Sequence, residues 1–537
     1  MSARLPEAAD YIVVGAGSAG AGVAARLSED PSVSVLLLEA GPVDRHLYIH
    51  VPAAFSKLFR GRYDWNYDTV PQPGLEGRTV FWPRGKTLGG SSSLNAMMWI
   101  RGFAADYDEW AESAGDRWSW EHLAPYFRRV ERTDLAHDPS LGTIGPQWVE
   151  RQSSPQPHTA AFLDAARELG YPVTLANDPH DQGFSETMLT THRGRRASTA
   201  DTYLRPAARR RNLRVVTGAH ARRVIVRDGR AVGVELSVRG GIRRVIVRRE
   251  VVLSGGSVNT PQLLMLSGIG PADHLRDHGI DTVVDAPEVG ANLQDHLVAG
   301  LAPEATGRTL FHGEELAPTL QWLTRHRGML TSNVAEGYGF VRTGVADRTQ
   351  APAGLPDIEI IFAAAPYVGE GLVPLPGDGI TVGAILLRPR SRGTVTLASA
   401  DPLAKAVIDP RYLSDPDGLD ADTLSAGLRV CDALVGTQAL GAVTTGRWIQ
   451  PENGENLTVE QRVASSLRAY SHTLYHPVGT ARMGADAASV VDPELRVRGV
   501  DGLRVADASV MPVIIRGHTN APAIVIGEVA ADLIAGR

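Results

Sequence analysis

The first forty residues limit the fold of this chain more tightly than any other stretch, because they alternate strand, glycine-marked turn, helix and strand. Asp10–Val14 (DYIVV) is a short β-branched run of the kind that forms a buried parallel strand. Gly15, Gly17 and Gly20 follow in GAGSAG and open a helix predicted from Ser18 to about Ser28. A second strand is predicted over Val33–Leu38, and Glu39 stands directly after it. Glycines at this spacing let backbone N–H groups approach a pyrophosphate, and the helix N-terminus favours its negative charge. A carboxylate nineteen residues after the third glycine is placed to accept hydrogen bonds from a ribose. Ser18, Ala19 and Ala40 join the three glycines and Glu39 as the expected dinucleotide contacts. The motif alone leaves NAD and FAD open.

At 537 residues, 43% of them hydrophobic and 21% charged, the chain is an ordinary globular protein long enough for more than one domain. Its net charge of -6 argues against a general nucleic-acid binder. One cysteine, Cys431, excludes an internal disulfide framework and a thiolate metal cluster. Met1–Asp10 lacks the apolar stretch of a signal peptide, and no run reaches the ~18 apolar residues of a membrane span. A soluble cytoplasmic protein is therefore expected.

Arg84–Asn95 (RGKTLGGSSSLN) is a glycine- and serine-rich loop with many backbone donors, and the bulky Met97–Ile100 follow it at once. Strands are predicted over Leu213–Val216, Val224–Val226, Val232–Leu236, Val245–Val247 and Val251–Leu253, the last leading into another glycine turn. From about Ala302 to Tyr470, helices (Leu316–Arg325, Leu419–Leu434) alternate with strands (Ile358–Phe362, Thr381–Leu387, Gly393–Leu397). Without a second nucleotide turn, that region is the candidate substrate domain. Ala521–Ala535, with Glu528 and Asp532 among small and apolar residues, predicts an amphipathic terminal helix.

Six segments in order resemble the glucose–methanol–choline (GMC) oxidoreductases across nearly the whole chain. They are Gly15–Gly20 with Glu39; Gly85–Asn95 through Arg101-Gly102; Gly255–Gly270; Val289–His296 (VGANLQDH); His476–Gly484 (HPVGTARMG); and Leu503–Asn520. The resemblance implies an α/β protein in which a discontinuous Rossmann-type FAD domain (1–157, 213–301, 471–537) is joined to an α+β substrate domain (158–212, 302–470) built on an antiparallel sheet. It also implies that Gly85, Thr87, Leu88, Gly90 and Ser91 run along the cofactor, continued by Asn95, Ala96 and Met97. Ala221 would hold the adenine, with Asp507, Ala508, Thr519 and Asn520 closing over the rest. Some members link FAD covalently through a histidine just before the loop asparagine; that position is Leu94 here, so non-covalent FAD is expected.

The activity implied is oxidation of an alcohol, with molecular oxygen or another acceptor taking the electrons. Histidine suits the base because its ordinary pKa of about 6.5 lies near working pH. His476, before Pro477, matches the family's base, and His518 in GHTN matches its second position. The resemblance also admits a hydroxynitrile lyase on the same scaffold. A metal site at His472 and His476 is disfavoured by Pro477 and by the lack of a third ligand, and a serine-hydrolase elbow is missing. Trp65, Trp99, Phe362, Tyr367 and Trp448 are equally good pocket walls or core residues.

Overall fold

A computed structural model describes residues 5–134, 140–178, 183–345, 354–373 and 377–536. The first four residues of the Met1–Asp10 segment lie outside it. The predicted opening unit is present as the strand Ala8–Val14, the helix Ser18–Leu27 and the strand Val35–Glu39. These strands are the centre of a seven-stranded sheet in the order Leu213–Thr217, Val35–Glu39, Ala8–Val14, Gly241–Leu253, Arg230–Val238, Ala219–Arg227, with Leu503–Val505 beside Gly241–Leu253.

The first four strands and Leu503–Val505 run parallel, whereas Ala219–Arg227, Arg230–Val238 and Gly241–Leu253 form an antiparallel meander. One strand does two jobs. The two separate strands expected at Val245–Val247 and Val251–Leu253 are a single thirteen-residue strand. Its first half pairs with the meander and its second half lies between Ala8–Val14 and Leu503–Val505. The polar run Arg248–Glu250 between them sits at the irregularity where the register against Ala8–Val14 shifts.

The second sheet is antiparallel: Thr444–Gln450, Leu297–Ala305, Thr381–Leu386, Ile358–Ala363, Gly337–Val341, Phe184–Glu186. The helix Leu419–Val435 covers one face, burying Leu424, Leu428, Cys431 and Leu434 against it. Leu297–Ala305 also pairs with the short strand His472–Thr473. That pairing links the second sheet to the loop that carries His476.

The terminal helix Asn520–Ala535 is not amphipathic. Every residue from Ala521 to Asp532 is buried. It packs against Ser18–Leu27, where Gly527 allows the two backbones to approach: a Cβ there would stand 2.5 Å from the carbonyl oxygen of Ala19. Burying Ile524, Val525, Ile526 and Val529 stabilises this contact by roughly 1.5–3 kcal/mol per side chain. Glu528, the buried charge that had suggested a polar face, is neutralised internally. Arg26 and Arg129 pair with it at 2.9 and 2.6 Å, and the Tyr203 hydroxyl donates to it at 2.7 Å. Among the described residues no helix is long and apolar enough to cross a membrane.

Candidate active site

Two adjoining cavities, of about 300 and 150 Å³, share Ser18, Arg84, Gly85, Ser91, Ala508 and Ala523 in their walls and so form one trough between the sheets. The smaller is bordered by Gly15, Gly17, Ala19, Glu39 and Ala40, with Gly90, Ala221 and Asp507 opposite. The larger is bordered by Asn95, Ala96 and Met97, by His476 and His518, and by Thr519 and Asn520. Sequence reasoning thus brings these residues to one place. Gly20, Thr87 and Leu88 line neither cavity. A Cβ on Gly20 would lie 2.0 Å from the Gly15 carbonyl oxygen, so this glycine lets the helix cross its strand. Thr87 is buried and donates to the Pro42 carbonyl, and Leu88 packs on the core.

The smaller cavity suits a dinucleotide. The N-terminus of Ser18–Leu27 has no side-chain cap and no acid in its first turn, so its N–H groups remain for an anion. Gly15 holds φ +102, and a Cβ there would strike the Ser254 carbonyl at 2.3 Å; a Cβ on Gly90 would stand 2.7 Å from Gly17 Cα. Side chains at these points would fill the cradle. Glu39 is buried, accepts from Ala16 N–H at 3.0 Å and Gly41 N–H at 2.8 Å, and is pushed up to about 7 by burial against those two bonds. Each oxygen retains capacity for a further bond, as a ribose requires. Asp507 is more heavily committed: Gly256 N–H, the Thr260 hydroxyl and Ser509 N–H all donate to it. Asn520 accepts from the Ser18 hydroxyl at 2.7 Å, joining the two ends of the chain at the trough.

At the wall of the larger cavity the rings of His476 and His518 stand side by side, and the fully buried His296 backs onto His476. His296 Nε2 lies 3.2 Å from the Leu387 carbonyl, and His296 Nδ1 lies 3.0 Å from His476 Nδ1. A carbonyl only accepts, so the Leu387 carbonyl favours the His296 tautomer with its proton on Nε2. Burial, reinforced by His518, pushes His296 down to about 3, which keeps the ring neutral and its Nδ1 bare. His476 must then donate from Nδ1. Burial, with His518, His296 and Arg84 adding to it, holds His476 well below the ordinary histidine value, so it too is neutral. Its Nε2 is left bare on a ring that lines the cavity. The His518 ring stands 4.6 Å from that of His476, near perpendicular, and its Nε2 is 3.1 Å from Glu359 Oε1.

The backbone geometry follows from VGANLQDH. The pairing of Leu297 with Thr473 brings His296 opposite Leu474, whose N–H donates to the His296 carbonyl at 2.8 Å. Asp295 accepts from His476 N–H at 2.8 Å and from the Thr473 hydroxyl at 2.6 Å. Gln294 accepts from Ile514 N–H and donates to the Pro512 carbonyl, which fixes the loop leading to His518. Between Thr473 and His476 the chain turns through Tyr475 at φ 68. Met97, Val334 and Glu370 are likewise in left-handed backbone, and all four line the cavity. Such strain in bulky residues gathers where a site dictates the backbone.

The sequence motifs named His476 and His518, which line one cavity, but not His296, Asp295 or Glu359 beside them. His472 also lines the cavity, with its Nδ1–H donated to the Thr473 carbonyl at 2.8 Å and its pKa pushed down to about 4 by burial. No metal cluster occurs among the described residues. Of the candidate wall aromatics, Tyr367 lines the larger cavity and Trp65 the smaller. Trp99 and Phe362 are fully buried core, and Trp448 packs on the second core.

The GMC oxidoreductase sequence profile matches residues 9–298 with its N-terminal part and 389–527 with its C-terminal part. The chain belongs to the GMC oxidoreductase family. This GMC oxidoreductase is 56% identical over 529 residues to an uncharacterised GMC-type oxidoreductase of Mycobacterium tuberculosis, covering 98% of this chain and 99% of that one. It is 41% identical to an alcohol dehydrogenase [acceptor] of Pseudomonas putida, covering 98% and 95%. The crystal structure of pyridoxine 4-oxidase from Mesorbium loti superposes with a TM-score of 0.88 at 32% identity, covering 98% and 99%. The protein is an FAD-dependent oxidoreductase acting, as its family does, in flavin-dependent alcohol oxidation.

Proposed function

We propose that this GMC oxidoreductase oxidises a primary alcohol to its aldehyde, with His476 as the catalytic base. The observation that carries the reading is the 3.0 Å contact between His476 Nδ1 and His296 Nδ1, which supports a tautomer of His476 with Nε2 bare. A neutral imidazole whose inner proton is already committed can only accept at its outer nitrogen. The alcohol hydroxyl gives its proton to Nε2. His518, held by Glu359, orients the hydroxyl oxygen and counters the negative charge that grows on it. A bound FAD would supply the acceptor for the hydride of the adjacent carbon. The uncapped helix N-terminus would hold its pyrophosphate, Glu39 its ribose, and Gly85–Met97 its flavin. Leu94, packed with Ile49 and Leu58, offers no atom for a covalent link.

The cavity wall favours an alcohol on a flat apolar body: Phe55, Phe59, Tyr367 and Tyr475 face it with Met97 and Met98. The names of the relatives, an alcohol dehydrogenase and a pyridoxine oxidase, agree with that class. The test is an anaerobic panel of aliphatic and benzylic primary alcohols mixed with the holoenzyme. Bleaching of the yellow flavin, followed by peroxide or its absence when air is admitted, supports the reading and separates oxidase from dehydrogenase. Cleavage of a cyanohydrin with the flavin still oxidised, and no bleaching by any alcohol, would replace it with the lyase.

A further inference from the structure

The larger cavity contains a second polar centre that the proton transfer does not use. Glu370 lies between Gly369 and Gly371, and all three have positive φ (53, 60 and 68). For glutamate this backbone costs of order 1 kcal/mol or more. Its carboxyl is buried, with 9% of the residue exposed, and accepts from the Tyr475 hydroxyl at 3.3 Å. The Tyr475 hydroxyl in turn lies 3.2 Å from that of Tyr367.

Aromatic rings enclose this centre. Phe59 stands 5.9 Å from Tyr475 and 5.9 Å from Phe55, and Phe55 stands 6.1 Å from Tyr367. Arg60, the cation that acts on Glu370, forms no ion pair with it. Its guanidinium lies 3.8 Å over the Phe81 ring and is bound by Asp68. Besides Arg60, the charged groups that act on Glu370 include Asp68 and Asp64, both of which oppose its ionisation. Arg84 and Arg78, elsewhere in the wall, donate to the backbone carbonyls of Tyr475 and of Arg468 and Ser471.

A carboxyl held at a strained position, out of water and without an ion-paired cation among the described residues, is a costly way to fill space. Electron-rich aromatic rings beside a carboxylate are surroundings that an ammonium group prefers. We infer that this end of the cavity selects alcohols carrying a protonated amine, with Glu370 as counter-charge and Phe55, Phe59 and Tyr475 as the enclosing rings. The inference rests on the alcohol-oxidation reading and names its substrate class. Burial pushes the Glu370 carboxyl up to about 8, against the Tyr475 bond and Arg60. Selection for the amine therefore strengthens as pH rises through about 8, until the amine itself loses its proton.

The experiment compares two alcohols of matched size, para-(aminomethyl)benzyl alcohol and para-ethylbenzyl alcohol, as anaerobic reductants of the holoenzyme. The wild-type protein should favour the amine at pH 8.5 by at least about tenfold in kcat/KM, and in E370Q that ratio should fall by at least about tenfold. Binding of para-methylbenzylamine to the oxidised holoenzyme, read from the flavin spectrum, should weaken to the same degree. E370Q and E370G should unfold at or above the wild-type temperature, since they shed a buried carboxyl. A ratio near one, a ratio unchanged in E370Q, or a drop of several degrees in both variants would overturn the inference. If neutral alcohols bleach the flavin and the amine gains nothing, only this inference falls. If no alcohol bleaches it, the reading of the function falls, and amine binding alone decides the role of Glu370.

Discussion

Replacing His296 tests the imidazole chain without touching a group that meets substrate. In His296→Leu the Nδ1–H of His476 loses its acceptor at 3.0 Å while its ring stays buried. A buried donor left unpaired costs about 1–3 kcal/mol. The ring escapes most of that cost by moving its proton to Nε2, and in that tautomer it is no longer a base. The population with a bare Nε2 then falls by about 5- to 150-fold, as 1.4 kcal/mol corresponds to a factor of ten. The rate constant for anaerobic flavin reduction should fall by the same factor in stopped-flow measurements, with the substrate dissociation constant little changed. His296→Asn places an amide oxygen near the lost Nδ1 and should recover most of the rate. If His296→Leu reduces flavin within about twofold of wild type, with full FAD content, the tautomer argument is wrong. Failure of Asn to do better than Leu would contradict it equally.

Because burial and neighbouring histidines lower the pKa of His476, the base is bare at neutral pH and is lost only as pH falls through that lowered value. The kcat/KM profile for an uncharged alcohol should be flat from about pH 6.5 upward, with its acid limb below that; a limb above 7 would contradict the assignment. Gly90→Ala drives a Cβ to 2.7 Å from Gly17 Cα and should yield protein with little bound flavin, measured by the ratio of visible to ultraviolet absorbance. Leu94 has no nucleophile, so acid precipitation should release all of the flavin into the supernatant, and a yellow pellet would refute non-covalent binding. His296, His472 and His476 are buried neutral imidazoles that the unfolded chain would protonate below about 6.5. Unfolding free energy from denaturant titration should therefore decline as pH drops from 6.5 toward 4, by up to roughly 1.4 kcal/mol per pH unit for each ring.

The nucleotide cradle was legible because its signal is local: strand, glycines, helix and acid all fall within forty residues. His476 and His518 were legible through motifs. What the sequence hid is the relation between distant segments. His296 and His476 are 180 residues apart and meet only through the pairing of Leu297 with Thr473. VGANLQDH was visible as a motif, yet nothing in it says that Asp295 grips the backbone of His476. Glu359 left a fainter signal, a lone acid in the apolar strand IEIIF, where its own full burial calls for a partner. The terminal helix was misread for the opposite reason. Glu528 and Asp532 suggested a wet face, but Arg26, Arg129 and Tyr203 satisfy them inside the protein. Tyr367 was one of five aromatics that could be wall or core, and Glu370 was not singled out, since the loop that carries them reaches Tyr475 only in three dimensions.

The claim on which the account depends is that His476 takes the hydroxyl proton at Nε2. Anaerobic mixing of His476→Ala holoenzyme with an alcohol that bleaches the wild-type flavin measures this directly. The account predicts intact FAD binding and a reduction rate lower by about 10²–10⁴-fold. Bleaching at the wild-type rate in that variant would contradict it.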